Sequence, residues 1–276
     1  MESTQVTLEH LERWLRAPEA TDHKYSRGVV EFHTGSRAFP GAALLGVLGA
    51  LRTGVGMVRY LGPPSVTSHV IHAHPEAVIV PGKVDSVVVG SGIGVPLGSR
   101  SIVRVREAFS RQVPTVVDAG ALDLVEEHPP VCVLTPHAGE LTRVHHRVLG
   151  GDMPSELEAA KRVAGELGVT ILLKGSLTHV VDGSRNHWQL PLATPWLATA
   201  GTGDVLAGIL GAMLASSREH LETSPQNLGE IVAVGALLHA ISAESASRSR
   251  HGGPITSTDV AEAIPGEVGK ILSSKP

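Results

Sequence analysis

The sequence predicts a doubly wound α/β fold, a parallel sheet covered by helices. Three observations carry this. Short runs of Val, Ile and Leu alternate with stretches of helical spacing through the middle of the chain. Each of these apolar runs ends in polar or glycine-rich residues, as strands do where their carboxyl ends face a ligand. The hydrophobic residues are aliphatic: 42% of the 276 residues are hydrophobic, only 3% are aromatic, and 31 are glycine. That composition suits a sheet buried on both faces.

The elements follow in order. Residues 6–16 place Leu8, Leu11 and Leu15 on one side of a helix. Residues 27–33 read as a strand, 35–41 as a loop rich in breakers, and 42–52 as an almost wholly apolar, buried helix. Residues 57–61 are a short strand. Residues 86–89 are a buried strand running into Gly90-Ser91-Gly92-Ile93-Gly94, followed by a helix over 101–111. Strands at 115–118 and 131–134 end in Asp118 and in Thr135-Pro136-His137-Ala138-Gly139-Glu140. A helix over 156–167 precedes a strand at 169–173 that ends in Lys174-Gly175-Ser176. Residues 178–182 and 187–191 form a hairpin, and helices cover 204–216, 229–247 and 258–272, with a polar linker at 221–227. One domain, 1–276, is expected, with 1–22 as an N-terminal helical extension.

A net charge of −4 gives no basic surface for nucleic acid. The one cysteine, Cys132, lies in an apolar run and reads as an inert buried thiol. The first residues lack a basic segment leading into an apolar one, and Gly, Pro or charge interrupts the apolar stretches short of a membrane span. A soluble cytoplasmic protein is the expectation. His69, His72, His74, His145 and His146 have no acid or cysteine at ligand spacing, so they are read as surface or incidental, and no metal ligand is assigned.

Chemistry concentrates at the strand ends. In Ala200-Gly201-Thr202-Gly203-Asp204 two glycines frame a threonine just before a helix. Their N–H groups can close on an oxyanion, and the helix N-terminus adds positive partial charge. Gly201, Thr202 and Gly203 are therefore the expected anion hole. Asp204, beside that anion, is placed to take a proton from a substrate hydroxyl; the plainer reading is a carboxylate that merely supports a helix start. Lys174 can reach phosphate oxygens, and Gly175 and Ser176 leave room for a ribose or phosphate. In the Thr135–Glu140 block the same residues also describe a helix start, with Thr135 as N-cap and Pro136 at N1. The glycines at 90–94 suit either close ligand approach or a tight turn.

Taken together, these blocks resemble the ADP/ATP-dependent NAD(P)H-hydrate dehydratases of the ribokinase-like superfamily. The likeness runs from about residue 23 to residue 265. The specific blocks are Phe39-Pro40-Gly41-Ala42-Ala43 and Thr135-Pro136-His137-Ala138-Gly139-Glu140; the Gly201–Asp204 block marks only the superfamily. The resemblance implies a ribokinase-like fold, with a mostly parallel sheet flanked by helices on both faces. It implies that Ala42, Gly94, His137 and Asp204 contact the hydrated nicotinamide nucleotide. It further implies that Lys174, Gly175, Ser176, Leu177, Thr178 and Gly203 contact the adenine nucleotide, with Asp204 as base. The implied reaction is a carbon–oxygen lyase reaction. It restores NADH or NADPH from the hydrate using ADP or ATP, with Mg²⁺ shielding the phosphates. A homotetramer and a separate epimerase protein as functional partner are implied as well.

The sequence departs from the family pattern in three ways. Gly120 stands where a second acid is usual and Asp123 where asparagine is usual; Ser91 stands where proline is common; and only about twenty residues precede the likeness, where many relatives carry an epimerase domain. Two other readings remain: a kinase of the same superfamily acting on a thiazole or pyrimidine alcohol, and a nucleotide-binding regulator without turnover.

Overall fold

The computed structural model describes residues 3–274; the ends of the expected single domain, 1–2 and 275–276, lie outside the described residues. In chain order the elements are β1 (Thr4–Gln5), α1 (Leu8–Trp14), β2 (Val29–His33), α2 (Pro40–Thr53), β3 (Met57–Tyr60), α3 (Pro64–Ala73), β4 (Ser86–Val89) and α4 (Ser99–Phe109). Then follow β5 (Thr115–Val117), a 3₁₀ segment (Ala119–Glu127), β6 (Cys132–Leu134), α5 (Ala138–Val148), α6 (Glu156–Leu167), β7 (Thr170–Leu173), β8 (His179–Val181) and β9 (His187–Gln189). Last come α7 (Thr202–Ser216), α8 (Arg218–Thr223), α9 (Leu228–Arg248) and α10 (Ser257–Ser273).

The strands make one sheet in the order β1-β9-β8-β7-β6-β5-β4-β2-β3. Pairing is parallel from β3 through β7; β8 joins β7 antiparallel, closing the expected hairpin with β9. Alternation along the strands feeds two cores. In β4, Val88 enters one apolar cluster while Val87 and Val89 enter the other. Helices α2, α7, α9 and α10 cover the first face; α4, α5 and α6 cover the second. The helices on both faces and the mostly parallel sheet match the fold class expected from the sequence.

Several segments differ from expectation. The N-terminal stretch supplies a strand as well as a helix: β1 pairs with β9 at the sheet edge, and two residues are too few for alternation to register. Helix α3 buries only Val66 and Val70, too sparse a stripe to read. The expected polar linker at 221–227 begins inside α8, because Leu221 is buried. The stretch 225–248 is apolar and long enough to cross a membrane by length and composition, but 78% of its most apolar window is buried. Its apolar side chains pack on α7, α10 and the sheet of the same chain.

Helices α2 and α7 cross with almost no side chain between them. A Cβ at Gly208 would run into the Gly46 carbonyl and lie 3.0 Å from the Ala50 amide; one at Gly49 would lie 2.5 Å from the Val205 carbonyl oxygen. This contact brings the first turns of both helices to the carboxyl edge of the sheet. Gly208→Ala should therefore lower stability by about 1–3 kcal/mol or more, because helix backbones cannot yield cheaply. Gly269→Ala, in open space on α10, should raise it by up to about 1 kcal/mol. Urea unfolding of the two variants checks both signs.

Candidate active site

The ends of β2, β4, β5, β6 and β7 open on one edge, and the first turn of α7 lies over it. From β7 to β2 is four strand spacings, roughly 19 Å, so Lys174 at one end and Ala42 at the other bound an elongated cleft. At the β2 end, Gly92 (φ +71°) packs on α2: a Cβ there would sit 2.6 Å from the Ala42 Cβ and 2.9 Å from the Phe39 carbonyl oxygen. Ala42 is buried under this turn, while Gly94, two residues on, is exposed at the cleft. Gly120 is confined in the same way, since a Cβ there would strike the Ile93 carbonyl. A side chain at this position, such as the second acid that the resemblance leads one to expect, therefore has no room in this chain. Asp123 points to Arg143 on α5 at 3.7 Å.

At the β6 end the helix start differs from expectation. The N-cap of α5 is His137, not Thr135: His137 Nδ1 accepts from the amides of Gly139 (3.1 Å) and Glu140 (3.3 Å). Glu140 Oε2 accepts the His137 amide at 2.9 Å, which completes a capping box. His137 is exposed on the cleft. It forms a parallel bridge with Lys174, whose amide donates to the Pro136 carbonyl at 2.9 Å. Thr135 is released from capping, and its hydroxyl donates to Asp118 Oδ1 at 2.7 Å.

Asp118 is the main residue that the sequence reading did not assign. Its carboxylate receives Ser91 Oγ (2.8 Å), Thr135 Oγ1 (2.7 Å) and Lys174 Nζ (2.9 Å). Burial opposes its charge, but the Lys174 ammonium and the three hydrogen bonds outweigh burial and hold the carboxyl below the usual range. Burial likewise opposes charge on Lys174, and Asp118 and Glu140 (3.7 Å) overcome it, so the ammonium persists. The one available signal was an acid at the end of β5, two strands from a lysine at the end of β7; only strand order brings them together. Gly175 and Ser176 are exposed beyond Lys174, and Leu177 and Thr178 are half-buried as the chain enters β8.

Helix α7 begins at Gly201 in the left-handed conformation (φ +91°) that the turn demands. The expected anion hole narrows here. The Thr202 hydroxyl donates to the Leu197 (2.9 Å) and Thr199 (3.0 Å) carbonyls, and the Asp204 amide donates back to the Gly201 carbonyl at 3.1 Å. Among the described residues the amides of Gly201 and Gly203 find no acceptor, and a Cβ at Gly203 would lie 3.7 Å from Lys174 Nζ. The helix N-terminus and the ammonium thus converge on one point, as an anion requires. Asp204 is half-buried beside them, its carboxyl pushed up to about 7 by burial and then by the Asp118 charge, with Lys174 partly offsetting both. Behind the turn, His239 of α9 is held neutral by burial, down to about 4, against the Thr202 backbone.

Elsewhere, Cys132 is buried and its thiol is pushed up by burial, an inert group. His145, read as surface or incidental, is buried on α5, while its neighbour His146 is exposed. A cavity of about 550 Å³ opens at the opposite edge, between Gly28, Lys83 and Asp85 and the last turns of α2 and α7. Its cations are engaged: Arg16 with Asp22, Arg27 with the Gly54 carbonyl, Lys83 with Asp85 and Arg218 with Glu222. Helix carbonyl ends also face it, so it disfavours phosphate.

A family model described as NAD(P)H-hydrate dehydratase matches residues 32–266. The bifunctional NAD(P)H-hydrate repair enzyme of Mycobacterium tuberculosis is 38% identical over 218 residues, 74% of this chain and 44% of that protein. The chain thus spans less than half the length of that relative. The ADP-dependent (S)-NAD(P)H-hydrate dehydratase of Cenarchaeum symbiosum is 28% identical, with 96% of each chain covered. Among solved structures, the Bacillus subtilis ADP/ATP-dependent NAD(P)H-hydrate dehydratase co-crystallized with ATP and Mg²⁺ superposes with a TM-score of 0.83 at 26% identity, over 99% of both chains. The matched region contains every strand end that lines the cleft, and the chain belongs to the NAD(P)H-hydrate dehydratase family.

Proposed function

We propose that this chain dehydrates hydrated NADH or NADPH to the normal cofactor, using ADP or ATP as phosphoryl donor. The observation that carries this is Asp204, a half-buried carboxylate with raised proton affinity beside the open amides of Gly201 and Gly203 and the Lys174 ammonium. A carboxylate poised near 7 is suited to take a proton at neutral pH.

In this reading the hydrate lies toward Ala42, Gly94 and His137, and the nucleotide lies along Lys174–Thr178. Asp204 takes the proton of the substrate hydroxyl. The oxygen bonds to the terminal phosphorus, and the bond to the nucleotide's bridging oxygen breaks, so ADP leaves as AMP or ATP as ADP. The Gly203 amide and Lys174 stabilise charge on the migrating group. Phosphate then departs with the carbon–oxygen bond, a proton leaves the neighbouring carbon, and the ring double bond returns. The residues present fit a Mg²⁺ carried on the nucleotide: Asp118 already accepts three hydrogen bonds and pairs with Lys174, and no cluster of three His, Cys, Asp or Glu side chains suited to a metal ion occurs among the described residues. Bound there, the ion would neutralise phosphate charge. A cytoplasmic homotetramer working beside an epimerase for the same hydrates completes the proposal.

Incubation with hydrated NADH and either nucleotide should restore the reduced-nicotinamide absorbance; a stable phosphorylated product would instead mark a kinase. Asp204→Asn should abolish that signal, by at least about a thousandfold, with nucleotide affinity measured by calorimetry little changed. Lys174→Ala should weaken the nucleotide more than the hydrate.

The pH behaviour follows from the sign of the shift. Asp204 must be ionised to act, so turnover should climb through about pH 7 and level off above it. Its folded proton affinity exceeds the unfolded one, so its contribution to stability falls as pH rises from about 4 to 7. Asp204→Asn should therefore stabilise the fold above pH 7, on the order of 2–4 kcal/mol, and do little below pH 4. Denaturant melts across that range test the sign.

A further inference from the structure

Lys174 leaves the sheet at the end of β7, while Asp118 stands at the end of β5. Strand β6 lies between them, and the backbones are roughly 10 Å apart. Lys174 reaches Asp118 only by stretching sideways across the start of α5, where its own amide is pinned to the Pro136 carbonyl. A second carboxylate, Asp204, is close enough for Lys174 to feel its charge, yet the ammonium pairs with Asp118 at 2.9 Å. What holds it on Asp118 is the rigidity of that carboxylate. One oxygen receives Thr135 and Lys174, the other receives Ser91, and all four residues come from separate strand ends. Ser91 supplies the third donor and holds the carboxylate oxygen that Thr135 and Lys174 leave free.

We propose that Asp118 is a positioning residue: clamped by Ser91 and Thr135, it draws the Lys174 ammonium over the Gly203 amide and keeps it from pairing with Asp204, which stays free to accept a proton. The inference rests on Asp204 being the base of the proposed reaction. The groups facing Asp204 are few. Asp118 and Lys174 approach from the strand ends, with Glu140 of α5 behind Lys174. The first half of α2 carries no titratable residue. Helix α9 presents neutral His239, and α10 presents Ser257, with Asp259 turned to Arg250.

If Asp118 competes with Asp204 for one ammonium, Asp118→Asn removes a neighbouring negative charge and also releases Lys174 onto Asp204. Both effects lower the proton affinity of Asp204. Lys174→Met has the opposite effect and raises it. The decisive comparison is the double variant. If Asp118 acts through Lys174, the Asp118→Asn shift should shrink by more than half in the Lys174→Met background. If Asp118→Asn alone fails to fold, Ser91→Ala, which keeps both charges, carries the same comparison alone and in the Lys174→Met background.

The measurement is a carbon-13 NMR titration of the Asp204 carboxyl in ligand-free protein, with thermal melts to confirm folding. The expected result is a midpoint lowered by one pH unit or more in Asp118→Asn, lowered by a smaller amount in Ser91→Ala, and raised in Lys174→Met. In the double variant the midpoint should lie below that of Lys174→Met by less than half of the Asp118→Asn shift. An unmoved or raised midpoint in Asp118→Asn, or a double variant lying half or more of the Asp118→Asn shift below Lys174→Met, would overturn the proposal. An unmoved midpoint in Ser91→Ala would overturn the clamp. Because the titration needs no substrate, it stands or fails independently of whether the hydrated cofactor is turned over.

Discussion

A buried carboxylate facing a single ammonium ties the cleft together. Asp118 and Lys174 lie two strands apart, and their contact, with the hydroxyls of Ser91 and Thr135, joins the ends of β4, β5, β6 and β7 into one polar layer. Desolvating both charges costs several kcal/mol, which close geometry and full hydrogen bonding offset. Such a pair contributes little net stability. Its effect is specificity: it fixes where a long, otherwise mobile lysine directs its charge.

The second constraint is steric. Gly46, Gly49 and Gly208 let α2 and α7 approach backbone to backbone, so the amide end of α7 lies over the strand ends instead of standing off in solvent. The left-handed turn at Gly201 then leaves the Gly203 amide unengaged while Thr202 is tied back into the fold. An anion site of one or two amides and an ammonium results, narrower than the three-residue cradle that the glycine pattern suggests. The departure at Gly120 has the same kind of cause. The loop after β5 is packed so closely on the Ile93 carbonyl that a side chain is excluded, and Asp118 is left as the acid of that loop that reaches the cleft.

Much of this was legible beforehand, for identifiable reasons. Short aliphatic runs, apolar helical stretches and amphipathic stripes placed β2 through β9 and α2, α4, α6, α7, α9 and α10 within a few residues, because each carries a buried apolar face or is buried throughout. The short edge strand β1, the sparsely buried α3 and the amphipathic α8 escaped because their burial is set by distant partners. The same division holds in the site. Asp204, Lys174 and the glycines announce themselves by chemistry next to a helix start or strand end. Asp118, Ser91 and Thr135 do not, because each is an ordinary polar residue until strand order brings it against the others.

The chain's covalent order alone determined the α/β class, the polar strand ends, and the acid–glycine–lysine set for which we propose phosphoryl transfer. Those follow from residue type and local spacing, which are one-dimensional properties. Only the folded sheet decided that His137 caps α5, that Thr202 faces inward, and that Asp118 holds Lys174 away from Asp204. Those depend on which strands neighbour one another and on burial, which strengthens charge–charge coupling and raises the proton affinity of a half-buried acid.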